Sequence, residues 1–155
     1  MQTIQQNERQ WTILEILRWT TEYFQEKEIQ SPRLTAEVLL AHTLQQDRMS
    51  LYVHHDQPLE AEERSRFKAI VKQRVQGTPT QYLTGKQEFW SLEFQVASGV
   101  LIPRPETEHL VEAAINVSTQ FSQPAIVDVG TGSGNIAISL KREIPHAEVY
   151  ASDIS

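Results

Sequence analysis

The chain has 155 residues, with 14 Lys and Arg against 20 Asp and Glu, a formal net charge of -6 and no cysteine. Disulfide staples, thiolate zinc sites and cysteine nucleophiles are thereby excluded. Generic binding to phosphate backbones, which draws on an excess of Lys and Arg, is disfavoured. At 39% hydrophobic and 22% charged residues the composition is that of a soluble globular protein, and no apolar run approaches the roughly 20 residues of a membrane span.

Met1 to Gln10 is polar and lacks the basic start and apolar core of a secretory signal, so a cytoplasmic location is expected. Trp11, Leu14, Leu17 and Phe24 recur near the helical period, with Glu15, Arg18, Glu22 and Gln25 between them. Ser31-Pro32 reads as an N-cap followed by proline at the first helical position, and Leu34, Val38, Ala41 and Leu44 then line one face of a second helix. A short third helix is expected over Ser50 to His54. Pro58 introduces a fourth, whose stripe is Phe67, Ile70, Val71 and Val75 and whose end is Gly77. Residues 1–76 thus read as a helical bundle too small for one core to give ample stability alone.

Residues 77–103 read as a linker and β-hairpin. Trp90, Leu92, Phe94 and Val96 alternate with Ser91, Glu93 and Gln95, the period-two signature of a half-buried strand, with Val100 to Ile102 as its partner. Residues 104–155 open with a helix from Pro105 toward Val117. There follow a short apolar strand (Ala125 to Val129), a glycine cluster, a helix carrying Ile136, Ala137, Leu140 and Ile144, and a second short strand (Val149 to Ala151). An unbroken apolar strand suits a parallel sheet buried on both faces, so the fold class is α followed by α/β.

Three of the six glycines lie in Gly130-Thr131-Gly132-Ser133-Gly134, between strand and helix. Glycine permits positive φ and close ligand approach, so the strand can turn into the helix with its amides toward an adenosine-bearing ligand. Asp153, at the tip of the second strand, is placed to accept hydrogen bonds from ribose hydroxyls. A structural turn without ligand is the bland alternative, and a dinucleotide-binding oxidoreductase shares this grammar. The spacing GxGxG, rather than GxGxxG, disfavours the oxidoreductase. So does Asp128, whose anion suits the ammonium or sulfonium end of S-adenosylmethionine and would repel a pyrophosphate.

The run Val127-Asp128-Val129-Gly130-Thr131-Gly132-Ser133-Gly134 resembles motif I of class I methyltransferases. Together with Gly77-Thr78-Pro79, Gln81-Tyr82-Leu83-Thr84-Gly85, Glu88-Phe89-Trp90 and Leu101-Ile102-Pro103-Arg104-Pro105-Glu106-Thr107-Glu108, the chain resembles the HemK/PrmC family from end to end. The resemblance implies a Rossmann-like methyltransferase domain after a helical substrate-recognition domain. It also implies S-adenosylmethionine as cofactor and class I peptide chain release factors as partners, methylated on the side-chain amide nitrogen of the glutamine in Gly-Gly-Gln. Neither membrane nor nucleic acid is an expected partner, and a monomer is expected. The family's Asn-Pro-Pro-Tyr tetrapeptide, which holds the acceptor amide, does not occur in these 155 residues. No catalytic residue is therefore assigned here, and residues 1–155 by themselves are expected to be inactive. The cofactor-binding candidates are Gly130, Thr131, Gly132, Ser133, Gly134, Asp153 and Asp128.

The remaining features have milder readings. Glu106, Thr107 and Glu108 suit a helix start by dipole and capping, while the resemblance places their segment over the methionine end of the cofactor. The five histidines have no metal-binding spacing, and Trp11, Trp19 and Trp90 are expected in cores rather than as a base-stacking platform. Arg64, Lys68 and Lys72, with Arg66 and Arg74, form either a solvated helix face or a contact for an acidic protein partner. A partner-binding module without a cofactor is the alternative of a different class.

Overall fold

The structure is a computed structural model that describes residues 10–154; Met1 to Arg9, most of the polar start considered above, and Ser155 lie outside the described residues. The chain divides into two compact units, Met1–Thr84 and Gly85–Ser155.

The first unit holds α1 (Ile13–Glu26), α2 (Pro32–Leu44), α3 (Arg48–Val53), α4 (Ala61–Val75) and the short α5 (Thr80–Thr84). Thr12 and Glu15 cap α1 reciprocally, Glu15 N–H donating to Thr12 Oγ1 at 3.3 Å and Thr12 N–H to Glu15 Oε2 at 3.0 Å. The next amides of α1 are met by a crossing segment, Ile13 N–H donating to Gln57 O at 3.0 Å and Leu14 N–H to His55 O at 2.9 Å. Pro58 therefore bridges to Thr12 rather than starting α4, which opens three residues later with Glu60 and Glu63 as its capping box. Ile13, Leu17, Phe24, Leu39, Leu40, Leu51, Phe67 and Val71 form the core.

Further expectations are corrected in this unit. The buried residues of α2 are Thr35, Ala36, Glu37, Leu39, Leu40, Ala41 and Thr43, and Leu34 is exposed. Because α2 packs against α1, α3, α4 and α5, it buries most of its circumference, and no single stripe marks its inner face. Ser31 stands at the N-cap with φ 48° and makes no side-chain cap. Trp19 is also exposed, stacked on Tyr23 at 5.2 Å between ring centroids, rather than in the core.

In the second unit β1 (Lys86–Phe89) pairs antiparallel with β2 (Leu92–Gln95), Phe89 opposite Leu92. The hairpin therefore turns at Trp90-Ser91, and Val100 to Ile102 is not its partner strand. Both turn residues have positive φ, 51° and 54°, the conformation of the tight hairpin turns that match strand twist. Trp90 N–H donates to Glu108 Oε1 at 2.8 Å and its indole N–H to Glu143 Oε1 at 3.0 Å, so two carboxylates hold the turn.

After a 3-10 turn at Pro105–Thr107 come α6 (Glu108–Ser118), β3 (Ala125–Val129), α7 (Asn135–Glu143) and β4 (Glu148–Ser152). β3 and β4 pair in parallel, Ala125 opposite Glu148 through Val129 opposite Ser152. Phe89, Phe94, Val111, Leu140, Ile144 and Ala147 form the core of this unit, with Ile126, Ile136 and Val149 against it. Lys141 Nζ donates to Pro145 O and Ala147 O at 2.9 and 2.8 Å, tying the end of α7 to the approach of β4. Only one sheet face is covered: Val127 is 65% and Val129 80% exposed, so burial of β3 on both faces does not hold among the described residues.

Candidate functional site

All seven candidate residues come together at one end of the β3–α7–β4 unit. Gly130, Gly132 and Gly134 have φ of 79°, 55° and 77°, values that an L side chain adopts only at a cost of about 1–2 kcal/mol each. The strand can therefore reverse into α7 within five residues. Gly134 occupies the N-cap of α7.

The loop is closed by hydrogen bonds to the strand tips. Ser152 O accepts from Gly130 N–H at 2.8 Å and from Thr131 N–H at 3.1 Å, and Gly134 N–H donates to Thr131 O at 2.9 Å. Asp153 Oδ2 accepts from Gly132 N–H at 2.8 Å, and its Oδ1 accepts from Ile154 N–H at 2.7 Å. Thr131 Oγ1 donates to Asp128 Oδ2 at 2.7 Å, and Ser133 Oγ to Asn135 Oδ1 at 3.2 Å. The amides of Gly130, Thr131, Gly132 and Gly134, expected to face a ligand, are instead satisfied within the fold, because a turn this sharp needs them to hold its own shape.

At Gly130 and Gly132 the loop offers backbone without a side chain. A Cβ built on Gly130 or Gly132 meets no heavy atom within 4 Å, whereas on Gly134 it would stand 3.2 Å from Ile138 Cδ1. A flat ligand can lie against the first two glycines, and the third serves helix packing. Asp128 accepts from Thr131 and Asp153 from Gly132, so two carboxylates lie beside the loop at the ends of neighbouring strands. The arrangement suits a ligand that carries vicinal hydroxyls at one end and positive charge at the other.

Two concavities of this unit lie elsewhere. One of about 430 Å³ is lined by Glu88, Trp90, Ser91, Glu108, Arg142 and Glu143; another of about 570 Å³ is apolar and includes Leu110, Val117, Phe121 and Val127. Among the described residues no His, Asp or Glu group is placed to hold a metal ion, and no helix is long and apolar enough to cross a membrane. The sequence did not point to the Glu108 and Glu143 clamp on Trp90; the one available signal was Glu143 at a helix C-terminus, where the dipole disfavours a carboxylate.

Comparison with known proteins bears on both units. Residues 15–85 match the family described as PrmC N-terminal domain. The chain is 43% identical over 153 residues to a release factor glutamine methyltransferase of Rhodopirellula baltica and 44% identical over 153 residues to one of Chlorobaculum tepidum, in each case 96% of this chain and 52% of the relative. Against the protein of the same name from Koribacter versatilis it is 46% identical over 125 residues, 81% of this chain and 45% of the relative. The chain thus spans about half the length of the curated relatives it matches.

Proposed function

We propose that the chain, which is similar over nearly its whole length to release factor glutamine methyltransferases and over residues 15–85 to the PrmC N-terminal domain, forms the helical substrate-recognition unit and the cofactor-binding start of such an enzyme, with S-adenosylmethionine as cofactor. The β3–α7–β4 unit is then the start of a Rossmann-like sheet, entered after the hairpin. The observation that carries this reading is the glycine loop between β3 and α7, open at Gly130 and Gly132 and held to Asp128 and Asp153 by hydrogen bonds.

The residues fit the cofactor. The open faces of Gly130 and Gly132 accommodate the adenosyl group, the Asp153 carboxylate takes the ribose hydroxyls, and Asp128, oriented by Thr131, faces the positively charged methionine end. S-adenosylmethionine supplies, when bound, an electrophilic methyl group on a sulfonium. The acceptor is the side-chain amide nitrogen of the glutamine in Gly-Gly-Gln of class I peptide chain release factors. Its lone pair is delocalised into the carbonyl, so the enzyme works by alignment and by hydrogen-bond acceptors for the amide protons. Residues 1–155 hold no Asn-Pro-Pro-Tyr, the tetrapeptide that resemblance assigns to this task, and by themselves are expected to transfer no methyl. The enzyme acts in the cytoplasm as a monomer.

The test joins residues 1–155 to the unmatched remainder of the Chlorobaculum tepidum relative and measures transfer of labelled methyl from S-adenosylmethionine to an unmethylated class I release factor, beside a release-factor variant whose Gly-Gly-Gln glutamine is replaced by glutamate. Label on the first and none on the second supports the reading. Equal label on both, or label from residues 1–155 alone, contradicts it.

A further inference from the structure

Between Arg64 and Arg74 the chain carries five Lys or Arg and no Asp or Glu, which leaves nine Lys and Arg against twenty Asp and Glu elsewhere. This cationic stretch lies on α4, whose inward face is Phe67 and Val71. Arg64 and Arg74 are half-buried, while Arg66, Lys68 and Lys72 are exposed. None of those three side chains has an ion-pair or hydrogen-bond partner among the described residues. At about 100° per residue, Lys68 and Lys72 fall on one flank of the outer face and Arg66 on the other. Ser65, Ala69 and Gln73, also exposed, run between them, and Glu62 in the first turn lies four residues before Arg66 on the same outer face.

The stability of the helix does not account for this pattern. Lys72 suits the negative end of the dipole, but Lys68 and Lys72 are like charges four residues apart, a spacing that disfavours an isolated helix. Arg66 and Lys68 lie in mid-helix, out of reach of either terminus. A low central strip between cationic flanks fits a segment that can approach closely and carries carboxylates on both sides. A polyphosphate fits less well, since three cations release few counterions and the rest of the chain repels it.

We infer that the outer face of α4 is a docking surface for an acidic stretch of the protein substrate. The inference rests on the release-factor reading above and adds where and how the substrate is first engaged. Its action is on encounter, where complementary charge raises the association rate more than it lengthens residence.

The experiment measures association of the protein with an unmethylated class I release factor at low salt and in 1 M salt, where the Debye length is about 3 Å. Arg66→Glu/Lys68→Glu/Lys72→Glu is expected to slow association on the order of tenfold at low salt and by less than about twofold in 1 M salt. The neutral variant Arg66→Gln/Lys68→Gln/Lys72→Gln falls between, and it keeps the test decisive should charge reversal impair folding. Unchanged rates in both variants overturn the inference and leave the release-factor reading intact, as does a loss that salt does not erase. Tighter binding of a short RNA or DNA duplex than of the release factor, lost in the same variants, reassigns the face to nucleic acid. If the unaltered protein does not bind the release factor at all, the substrate reading falls and takes this occupant with it.

Discussion

Glu37 is the group whose loss the first unit should feel most. Its side chain is 3% exposed, yet it lies in mid-helix as a carboxylate, accepting from Arg33 Nε at 2.6 Å, from Arg48 Nη2 at 2.9 Å and from the Tyr52 hydroxyl. Burial alone would raise its pKa, but the hydrogen bonds from Tyr52, Arg48 and Arg33 outweigh burial and hold it below its ordinary 4.5. In Glu37→Gln, one oxygen becomes an NH₂ that faces a guanidinium. If Oε1 keeps Arg33 and Tyr52, the Arg48 bond is lost and the other two become neutral-acceptor bonds. A hydrogen bond to a charged group contributes about 1.5–3 kcal/mol. Arg33 and Arg48 are 38% and 49% exposed, so their charges recover solvent and the low end applies. The expected loss is about 2 kcal/mol, or about 8–16 °C in Tm for a unit of this size. The assay is urea and thermal unfolding followed by helix circular dichroism. The pH dependence has a definite sign. With the folded pKa depressed, the contribution of Glu37 is fully present above the unfolded pKa and is lost as pH falls through the lower folded value. The difference between wild type and variant should therefore be constant near pH 7 and shrink below about pH 4.5. A difference under about 0.5 kcal/mol at pH 7, or one that grows on acidification, refutes the reasoning.

Other outcomes follow from the second unit. Gly134→Ala combines a φ of 77° with a Cβ only 3.2 Å from Ile138 Cδ1, and about 1–2 kcal/mol of destabilisation is expected from the backbone alone; urea midpoints check this. Asp153→Asn removes the charge that holds Gly132 N–H and, in the proposed complex, the ribose hydroxyls, so S-adenosylmethionine affinity measured by calorimetry should fall about tenfold or more. Glu108→Ala takes away the acceptor of Trp90 N–H, and hydrogen exchange at that amide should speed up while the amides of α7 keep their protection; no change at Trp90 counts against the clamp.

The β3–loop–α7–β4 unit was legible because three independent signals coincide there: an apolar strand, clustered glycines and a helical stripe of Ile136, Ala137, Leu140 and Ile144. Asp153 could be placed by spacing alone, but its bond to Gly132 could not, since that depends on where the loop folds back. The hairpin turn escaped because alternation runs straight through Trp90 and Ser91, and neither is the Asn or Gly that normally marks positive φ. Carboxylates distant in sequence hold it, Glu108 and Glu143 lying 18 and 53 residues away. Glu37 was invisible for a similar reason. With Arg33 four residues before it, it reads as a surface pair, and only Arg48 and Tyr52 on α3, 11 and 15 residues further on, make it an interior anion. Local pattern reveals elements and tight loops, whereas the polar contacts that fix them come from tertiary neighbours.

The central claim is that the loop between Asp128 and Asp153 receives an adenosyl sulfonium. Backbone amide resonances of ¹⁵N-labelled protein, titrated with S-adenosylmethionine, S-adenosylhomocysteine and a nicotinamide dinucleotide, test it at the residues named. Saturable shifts at Gly130, Gly132, Gly134 and Asp153 with the two adenosyl ligands, and none with the dinucleotide, are expected. Shifts at those residues with the dinucleotide and none with S-adenosylmethionine would contradict it.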